Sequence, residues 1–202
     1  MHFEFLLEEE TAEKVINNLI PQIITGEHTY RCIRFQGKMD LLKNLPSELK
    51  GYARWMPSNY KIVVLIDRDN DDCIQLKNKL NQMAIDAGLI IKSSVTNNLF
   101  QVINRIAIEE IESWFFGDSD AMRQTYPKLS STFQNKSIYR NPDNINNTWE
   151  SMERILQAKG YFKTGLRKTE AAFEISKNMQ PLKNRSKSFQ IFWQGITECL
   201  QR

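Results

Sequence analysis

An unbroken apolar run that ends in a cluster of acids is the feature that most constrains the fold of this chain. Residues 62–66 are Ile-Val-Val-Leu-Ile, a pattern typical of a strand buried on both faces in a parallel sheet. Open α/β sheets bind their ligands beyond the carboxyl ends of such strands. The run therefore predicts an α/β protein with a ligand site just after residue 66.

Four acids follow the run within six positions: Asp67, Asp69, Asp71 and Asp72. Strand alternation would place Asp67 and Asp69 on one side, where two hard oxygen donors can share one Mg²⁺ or Mn²⁺ ion. The alternative is a polar loop in which Asp71 or Asp72 only caps the next helix, as aspartate commonly does. The local sequence leaves both interpretations open.

Strands and helices alternate through the first half of the chain. Helices are predicted from a cap at Thr11 to Pro21, after Gly37 with an interruption near Pro46, and from residue 73 to a stop at Gly88. Strands are predicted at residues 3–7, 30–35, 62–66, 89–95 and 100–107, the last two around a polar turn at 96–98. This alternation predicts a mainly parallel βαβ sheet with helices on both faces, formed by residues 1–128.

The second half of the sequence is predicted to be mainly helical. Short helical periods are predicted at residues 108–117, 149–159, 168–178 and 188–200, and the Asn-, Ser- and Pro-rich stretch 130–148 is predicted to be a surface connection. The aromatic face of the last helix, which includes Phe189, Phe192 and Trp193, indicates core packing rather than base stacking. We expect residues 129–202 to form a helical extension packed on the core as one structural unit.

Composition narrows the class of protein but not its ligand. With 202 residues and 41% hydrophobic content, the chain can bury a core without disulfides. Its formal charge of +3 is compatible with a polyanion but far from that of a dedicated nucleic-acid binder. The three cysteines are scattered, which favours reduced thiols. Because neither a signal peptide nor an apolar membrane span is evident, we expect a cytoplasmic protein without a membrane partner.

Further acids are candidates for the same site. If the strands at 3–7 and 62–66 are parallel neighbours, Glu8 lies beside Asp67 and Asp69, and such a cluster is costly unless a cation binds it. The alternative is that Glu8 belongs to an acidic first helical turn. Glu112 is a candidate for a second metal position, although a solvated acidic face at 109–112 explains it equally well.

Basic residues supply candidates for phosphate binding. Single cations are usually solvated, but Arg68 lies between two aspartates and either pairs with them or reaches a phosphate held by the metal. The candidates are Lys38, Arg68, Arg105, Lys168 and Arg185.

The acids also carry a resemblance to a known family. Glu8 followed by a helix, and an apolar strand ending in Asp67-Arg-Asp69, resembles the TOPRIM domain shared by topoisomerases, primases and overcoming-lysogenization-defect nucleases. More widely, the chain is similar to a bacterial family of unknown function with a TOPRIM-like core, whose members often occur beside an AAA-type ATPase. The segments that carry this similarity are LLEEETAEKVI, FQGKMDLLKNLPSELKGYARW, VVLIDRDNDDCIQLK, NRIAIEEIESWFFGD and RSKSFQIFW.

The TOPRIM resemblance implies roles for particular residues. Glu8 matches the TOPRIM glutamate, Asp67 and Asp69 match its DxD pair, and Asp71 stands near the third acid; these residues would hold Mg²⁺ or Mn²⁺. Glu8 is an alternative general acid or base, and Lys38 and Arg68 would neutralise the phosphate. Two departures are Glu9, where glycine commonly follows the glutamate, and the absence of a glycine closing the aspartate motif.

The expected function is metal-dependent phosphodiester hydrolysis of DNA or RNA, in defence against phage or foreign DNA. The family resemblance implies an AAA-type ATPase as partner. Whether the chain also forms a homodimer is left open by the sequence. Three alternatives remain: a TOPRIM-like binding or regulatory subunit with weak or no activity, a phosphatase or nucleotide hydrolase that uses the same acids, and a purely structural role for the acids.

Overall fold

A four-stranded, wholly parallel sheet forms the centre of the computed structural model, which describes residues 1–94 and 99–200. The strands are β1 (His2–Leu7), β2 (Thr29–Arg34), β3 (Tyr60–Asp67) and β4 (Val102–Ala107), in the order β2-β1-β3-β4. Residues 63–66 of β3 are almost completely buried, as the apolar run predicts, because β3 lies between β1 and β4. The predicted α/β class and parallel sheet are confirmed.

Helices cover both faces of the sheet. Two of them, α2 (Lys38–Trp55) and α3 (Cys73–Asp86), pack on the face that carries Leu6 and Val64. The opposite face carries Phe3, Phe5 and Leu7, and it packs against α1 and the helical second half. The remaining helices are α1 (Glu10–Leu19), α4 (Ser113–Gly117), α5 (Ser119–Thr125), α6 (Thr148–Gln157), α7 (Lys168–Asn178) and α8 (Lys187–Leu200). None of the helices in the described residues is long and apolar enough to cross a membrane.

Several predicted boundaries in the first half are wrong. α1 begins at Glu10 with Glu9 as its N-cap, so Thr11 is a buried helical residue rather than the cap. α2 continues through Pro46 without interruption. Proline removes one backbone hydrogen bond from the helix, but the apolar face of α2 is fully buried on the sheet on both sides of this position, at Leu41, Leu45 and Leu49.

The predicted strand at 89–95 is also wrong within the described residues. Only Ile91 forms a bridge, to Val102, and Lys92–Ser94 form a short 3-10 helix. The amides of Gln101 and Val102 both donate to the Ile90 carbonyl, so pairing stops after one bridge. Leu89 and Ile91 are apolar because both side chains are buried, and not because they belong to a strand. Residue 95 and the predicted turn at 96–98 lie outside the described residues.

The helical half is more compact than its sequence suggests. Residues 130–148 are not a surface connection, because they form short 3-10 turns that bury Phe133, Tyr139 and Ile145 in the main core. In α8, Phe189, Phe192 and Ile196 are fully buried, which confirms core packing of its aromatic face. The Phe192 ring lies 6.4 Å from that of Phe5 in β1. The α8 aromatics therefore join the two halves of the chain.

Truncation of this contact should destabilise the whole chain. We expect Phe192→Ala to lower the free energy of unfolding by about 3–5 kcal/mol, because a fully buried aromatic ring leaves a cavity. Urea denaturation followed by tryptophan fluorescence and by circular dichroism measures this change. Leu182→Ala is the control, because Leu182 is 94% exposed. Two separate unfolding transitions would contradict our proposal that residues 1–128 and 129–202 form one unit.

Candidate functional site

Three buried carboxylates lie together beyond the carboxyl ends of neighbouring parallel strands. Glu8 follows β1, Asp67 ends β3, and Glu112 follows β4. Glu8 is 9% exposed, Asp67 is 8% exposed, and Glu112 is fully buried. A side-chain oxygen (Oε2) of Glu8 accepts a hydrogen bond of 3.0 Å from the Asp67 amide. We call Glu8, Asp67 and Glu112 the acid cluster.

Burial and mutual repulsion disfavour ionisation of the acid cluster. Burial raises the pKa of Asp67 well above its usual range, and the nearby Glu112 and Glu8 raise it further. Burial raises the pKa of Glu112 to about 7, although Lys168 opposes that shift. Burial also raises the pKa of Glu8, against the hydrogen bond from the Asp67 amide. A cation bound among these groups would relieve the repulsion.

The only cation of the described residues within ion-pair distance of the acid cluster is Lys168, at the start of α7. Its ammonium nitrogen lies 3.4 Å from Glu112 Oε1 and 3.2 Å from Glu9 Oε1. Although burial opposes its charge, Glu112, Glu9 and Asp67 raise the pKa of Lys168. Neither carboxylate oxygen of Glu112 has a hydrogen-bond partner among the described residues. The buried Glu112 carboxylate thus keeps unused acceptor capacity.

A second group of charges lies on the solvent side of the acid cluster. The Lys38 ammonium, at the first residue of α2, lies 2.7 Å from Asp69 Oδ2 and 3.0 Å from Asp71 Oδ2, and donates to the Arg68 carbonyl at 2.9 Å. Its position follows from Gly37, the N-cap with φ +97°, whose amide donates to the Glu8 carbonyl. Lys38 therefore holds the two aspartates that follow β3.

Strand alternation does not place Asp69, contrary to the sequence prediction. β3 ends at Asp67, and Asp69 adopts a left-handed backbone with φ +49°. The Asp69 amide donates to the Glu109 carbonyl at 2.8 Å, which fixes the acidic loop to the segment after β4. The Asp69 charge still acts on Glu8 and Asp67. Of the following acids, Asp72 caps α3 by accepting from the Gln75 amide, and Asp71 pairs with Lys38.

The donor chemistry suits a hard divalent cation, but no coordination shell is assembled. Carboxylate oxygens are the preferred ligands of Mg²⁺, and the acid cluster has an excess of them with too little positive charge nearby. Across residues 1–94 and 99–200, however, no three Asp, Glu, His or Cys side chains are arranged so that they could hold a metal ion. Metal binding would therefore require some of these side chains to move.

The predicted basic residues separate into different places. Arg68 is half-buried beside the acidic loop; its Nε donates to the Asp69 carbonyl, and no described carboxylate pairs with it. Arg105 lies in β4 against α8 and donates to the Ile191 and Asn104 carbonyls. Arg185 donates to the carbonyls of Arg140 and Phe116 and so joins the loop at residue 140 to α4. Only Lys38, Arg68 and Lys168 accompany the acids.

The segment 108–117 is not the predicted amphipathic helix, since only Ser113–Gly117 are helical. Its first acids serve another helix: Glu109 accepts from the amide and hydroxyl of Thr148, and Glu110 accepts from the Trp149 amide. These carboxylates cap α6 and attach the helical half to the end of β4. Of the three glutamates in this segment, Glu112 is the one that lies in the acid cluster, where its charge acts on Asp67.

Sequence reasoning missed two contacts of the site. It did not connect Lys168 with Glu9 and Glu112, which lie far from it in the chain, and it treated Lys168 only as a phosphate ligand. It also missed that Glu9 faces Lys168, so that the positive charge of the lysine balances the negative charge of Glu9. No local pattern signals these contacts, because they depend on how α7 packs against α1.

The fold and site define an α/β protein with buried acids at the carboxyl edge of a parallel sheet. The chain belongs to the family described as "Domain of unknown function (DUF4276)", whose model matches residues 7–197. Among solved structures, it is similar to the C-terminal region of the Burkholderia pseudomallei OLD protein, with 13% identity and a TM-score of 0.45, over 96% of this chain and 98% of that chain. No curated protein matches it.

The raised pKa of Glu112 predicts a pH-dependent stability. An acid whose pKa is higher in the folded chain is neutral in both states at low pH, and folding loses stability as pH rises from about 4.5 to 7. We therefore expect Glu112→Gln to raise the free energy of unfolding at pH 8 by up to about 3 kcal/mol, and to have little effect at pH 4.

Denaturant titrations across this pH range test the expectation. Glu48→Gln is the matched control, because Glu48 is exposed on α2. A Glu112→Gln variant that is less stable than wild type at pH 8 would show instead that the Lys168 ion pair outweighs the burial of the carboxylate.

Proposed function

We propose that this protein is a Mg²⁺- or Mn²⁺-dependent nuclease that hydrolyses phosphodiester bonds in DNA or RNA. The observation that carries the proposal is the acid cluster, in which Glu112 is fully buried with no hydrogen-bond partner for either oxygen among the described residues. Lys168, at 3.4 Å, compensates the Glu112 charge only in part, and a buried carboxylate that is poorly compensated destabilises a fold. A cation-binding role accounts for this arrangement better than a structural role.

The acids would divide between two ion positions. Glu8, Asp67 and Glu112 would hold one divalent ion, and Asp69 and Asp71 would contribute to a second once Lys38 releases them. A bound ion would supply Lewis-acid polarisation of the scissile phosphate. The proposal needs the excess negative charge at this edge of the sheet, which the neighbouring lysines balance only in part.

The side chains themselves supply proton transfer and charge neutralisation. As an alternative to holding the ion, Glu8 would act as a general acid or base, because burial raises its pKa in the direction that such a role needs. Lys38 and Arg68 lie beside the acidic loop and would neutralise the non-bridging phosphate oxygens in the transition state. Among the described residues, Arg68 donates only through its Nε, so its two terminal nitrogens are available for a phosphate.

Cleavage assays test the proposed function. Wild-type protein with Mn²⁺ or Mg²⁺ should cleave at least one of plasmid DNA, single-stranded DNA and tRNA. Asp67→Asn and Glu8→Gln should each lower the rate by at least about 100-fold, because each removes a charged oxygen that the reaction uses. Assays with and without a neighbouring AAA-type ATPase establish whether activity requires that partner.

Matched controls separate chemistry from folding. Asp86→Asn, at the far end of α3, makes the same chemical change away from the site and should keep wild-type activity. Circular dichroism should show that every variant is folded. Hydrolysis of mononucleotides but not of polynucleotides would replace the nuclease with a phosphatase or nucleotide hydrolase.

Lys38 should compete with the metal. We expect Lys38→Gln to tighten Mn²⁺ binding about fivefold, because it removes a cation worth roughly 1 kcal/mol from Asp69 and Asp71. The same variant should slow cleavage, because it loses a phosphate ligand. Isothermal titration with Mn²⁺ measures the affinity, and Lys43→Gln, an exposed residue of the same helix, is the control. Weaker Mn²⁺ binding in Lys38→Gln would contradict competition.

A binding or regulatory subunit is the second candidate. The observation that favours it is the ion pairing of Lys38 and Lys168 with acids of the site, which partly neutralises them without metal. In this case the chain would bind an AAA-type ATPase in a defence system and contribute no chemistry. Tight complex formation without cleavage of any substrate, with partner and metal both present, would establish this role.

A further inference from the structure

A separate pocket lies at the free edge of the sheet, next to the acidic loop. It has a volume of about 220 Å³, and its walls come from the first turns of α3 and α8 and from the end of β4. Its lining residues are Cys73, Lys77, Asn104, Arg105, Ile106, Ile108, Ser188 and Ile191. This set contains two cations and no carboxylate.

The two cations of this pocket share one neutral acceptor. Lys77 Nζ and Arg105 Nη1 both donate to the Asn104 carbonyl, and Arg105 Nε donates to the Ile191 carbonyl at 3.1 Å. No carboxylate in the described part of the chain lies within ion-pair distance of either cation. Burial, and then repulsion by Arg105, lowers the pKa of Lys77 to about 8. Two half-buried cations side by side are unfavourable without an anion between them.

Within residues 1–94 and 99–200, the contacts of both side chains leave N–H donors for such an anion. A lysine has three N–H donors and an arginine has five, and Lys77 uses one and Arg105 two in the contacts above. Arg105 is held in place because its guanidinium lies over Gly195 of α8, where a Cβ would come within 2.4 Å of Nη2. Two acids beside the pocket bind other groups: Asp143 accepts from Ser186 and Ser188, and Glu198, whose charge partly stabilises that of Arg105, forms its ion pair with Lys92.

The end of β4 contributes both to the wall of this pocket and to the backbone beside the acid cluster. Ile106 and Ile108 in its wall flank Ala107, which is paired with Asp67 in the sheet and whose carbonyl accepts from the Arg68 amide. Cys73 in the opposite wall directly follows the acidic loop. The pocket and the acid cluster are therefore connected through the end of β4.

We propose that Lys77 and Arg105 bind a phosphate group, either of a nucleic-acid strand end or of a free nucleotide. The phosphate site depends only on these two side chains. Its use for a strand that enters the acid cluster rests on the proposed nuclease function. Lysine and arginine together suit a phosphate, because arginine offers a planar pair of donors and lysine a compact charge.

Binding is measured in EDTA, so that failure of metal chemistry does not affect the result. Inorganic phosphate at about ten times its Kd should raise the midpoint of thermal unfolding by about 3 °C. Lys77→Gln and Arg105→Gln should each weaken phosphate binding by about tenfold or more. Without phosphate, both variants should be as stable as wild type, because each removes one of two repelling charges.

The controls distinguish this pocket from general charge effects. Lys79→Gln makes the same change at an exposed position of α3 and should bind phosphate normally, and Asp67→Asn should lose cleavage but keep phosphate binding. Tighter binding of 5′-phosphorylated than of 5′-hydroxyl oligonucleotides identifies a strand end, whereas tighter binding of mononucleotides than of inorganic phosphate identifies a free nucleotide. The absence of phosphate binding to wild-type protein, or binding as tight as wild type in both Lys77→Gln and Arg105→Gln, would overturn the proposal.

Discussion

The parallel alignment of β1, β3 and β4 is the constraint on which the rest of this structure depends. Parallel strands end at the same edge, and in this chain each is followed by acids. Three carboxylates that are distant in sequence are therefore forced together: Glu8, Asp67 and Glu112. Because they are also buried, their charges are poorly solvated, and the surrounding elements have to supply cations.

The helical half supplies one of these cations and closes the site. α7 packs against α1 and brings Lys168 to Glu9 and Glu112. Glu109 and Glu110 cap α6 and attach it to the end of β4. The same packing that buries the apolar faces of α7 and α8 thus also determines how deeply Glu112 is buried. Stability and electrostatics are coupled here, since removal of the Glu112 charge and loss of the Phe192 ring affect the same interface between the sheet and the second half.

Charge divides the carboxyl edge of the sheet into distinct regions. The acid cluster lies at its centre, Lys38 with Asp69 and Asp71 lies on its solvent side, and the Lys77–Arg105 pocket lies at the free edge of β4. The proposed nuclease function would use both kinds of region, with cations along the nucleic-acid backbone and the acids at the scissile bond.

Much of the fold was predictable from local pattern. The apolar run 62–66 followed by acids, the periodicity of α3 and the aromatic face of α8 each specify an element and its buried side, because burial requires a period of two or about 3.6 residues. The segments at 89–95, 108–117 and 130–148 were predicted wrongly in the residues that the structure describes. Their backbone and side-chain bonds go to distant partners, such as Ile90 with Gln101 and Glu109 with Thr148. The sequence alone therefore determined the parallel α/β core and the presence of acids at its carboxyl edge. Only the tertiary structure decided which acids are buried together, which lysines neutralise them and where Arg105 lies, because these contacts join residues that only the folded chain brings close.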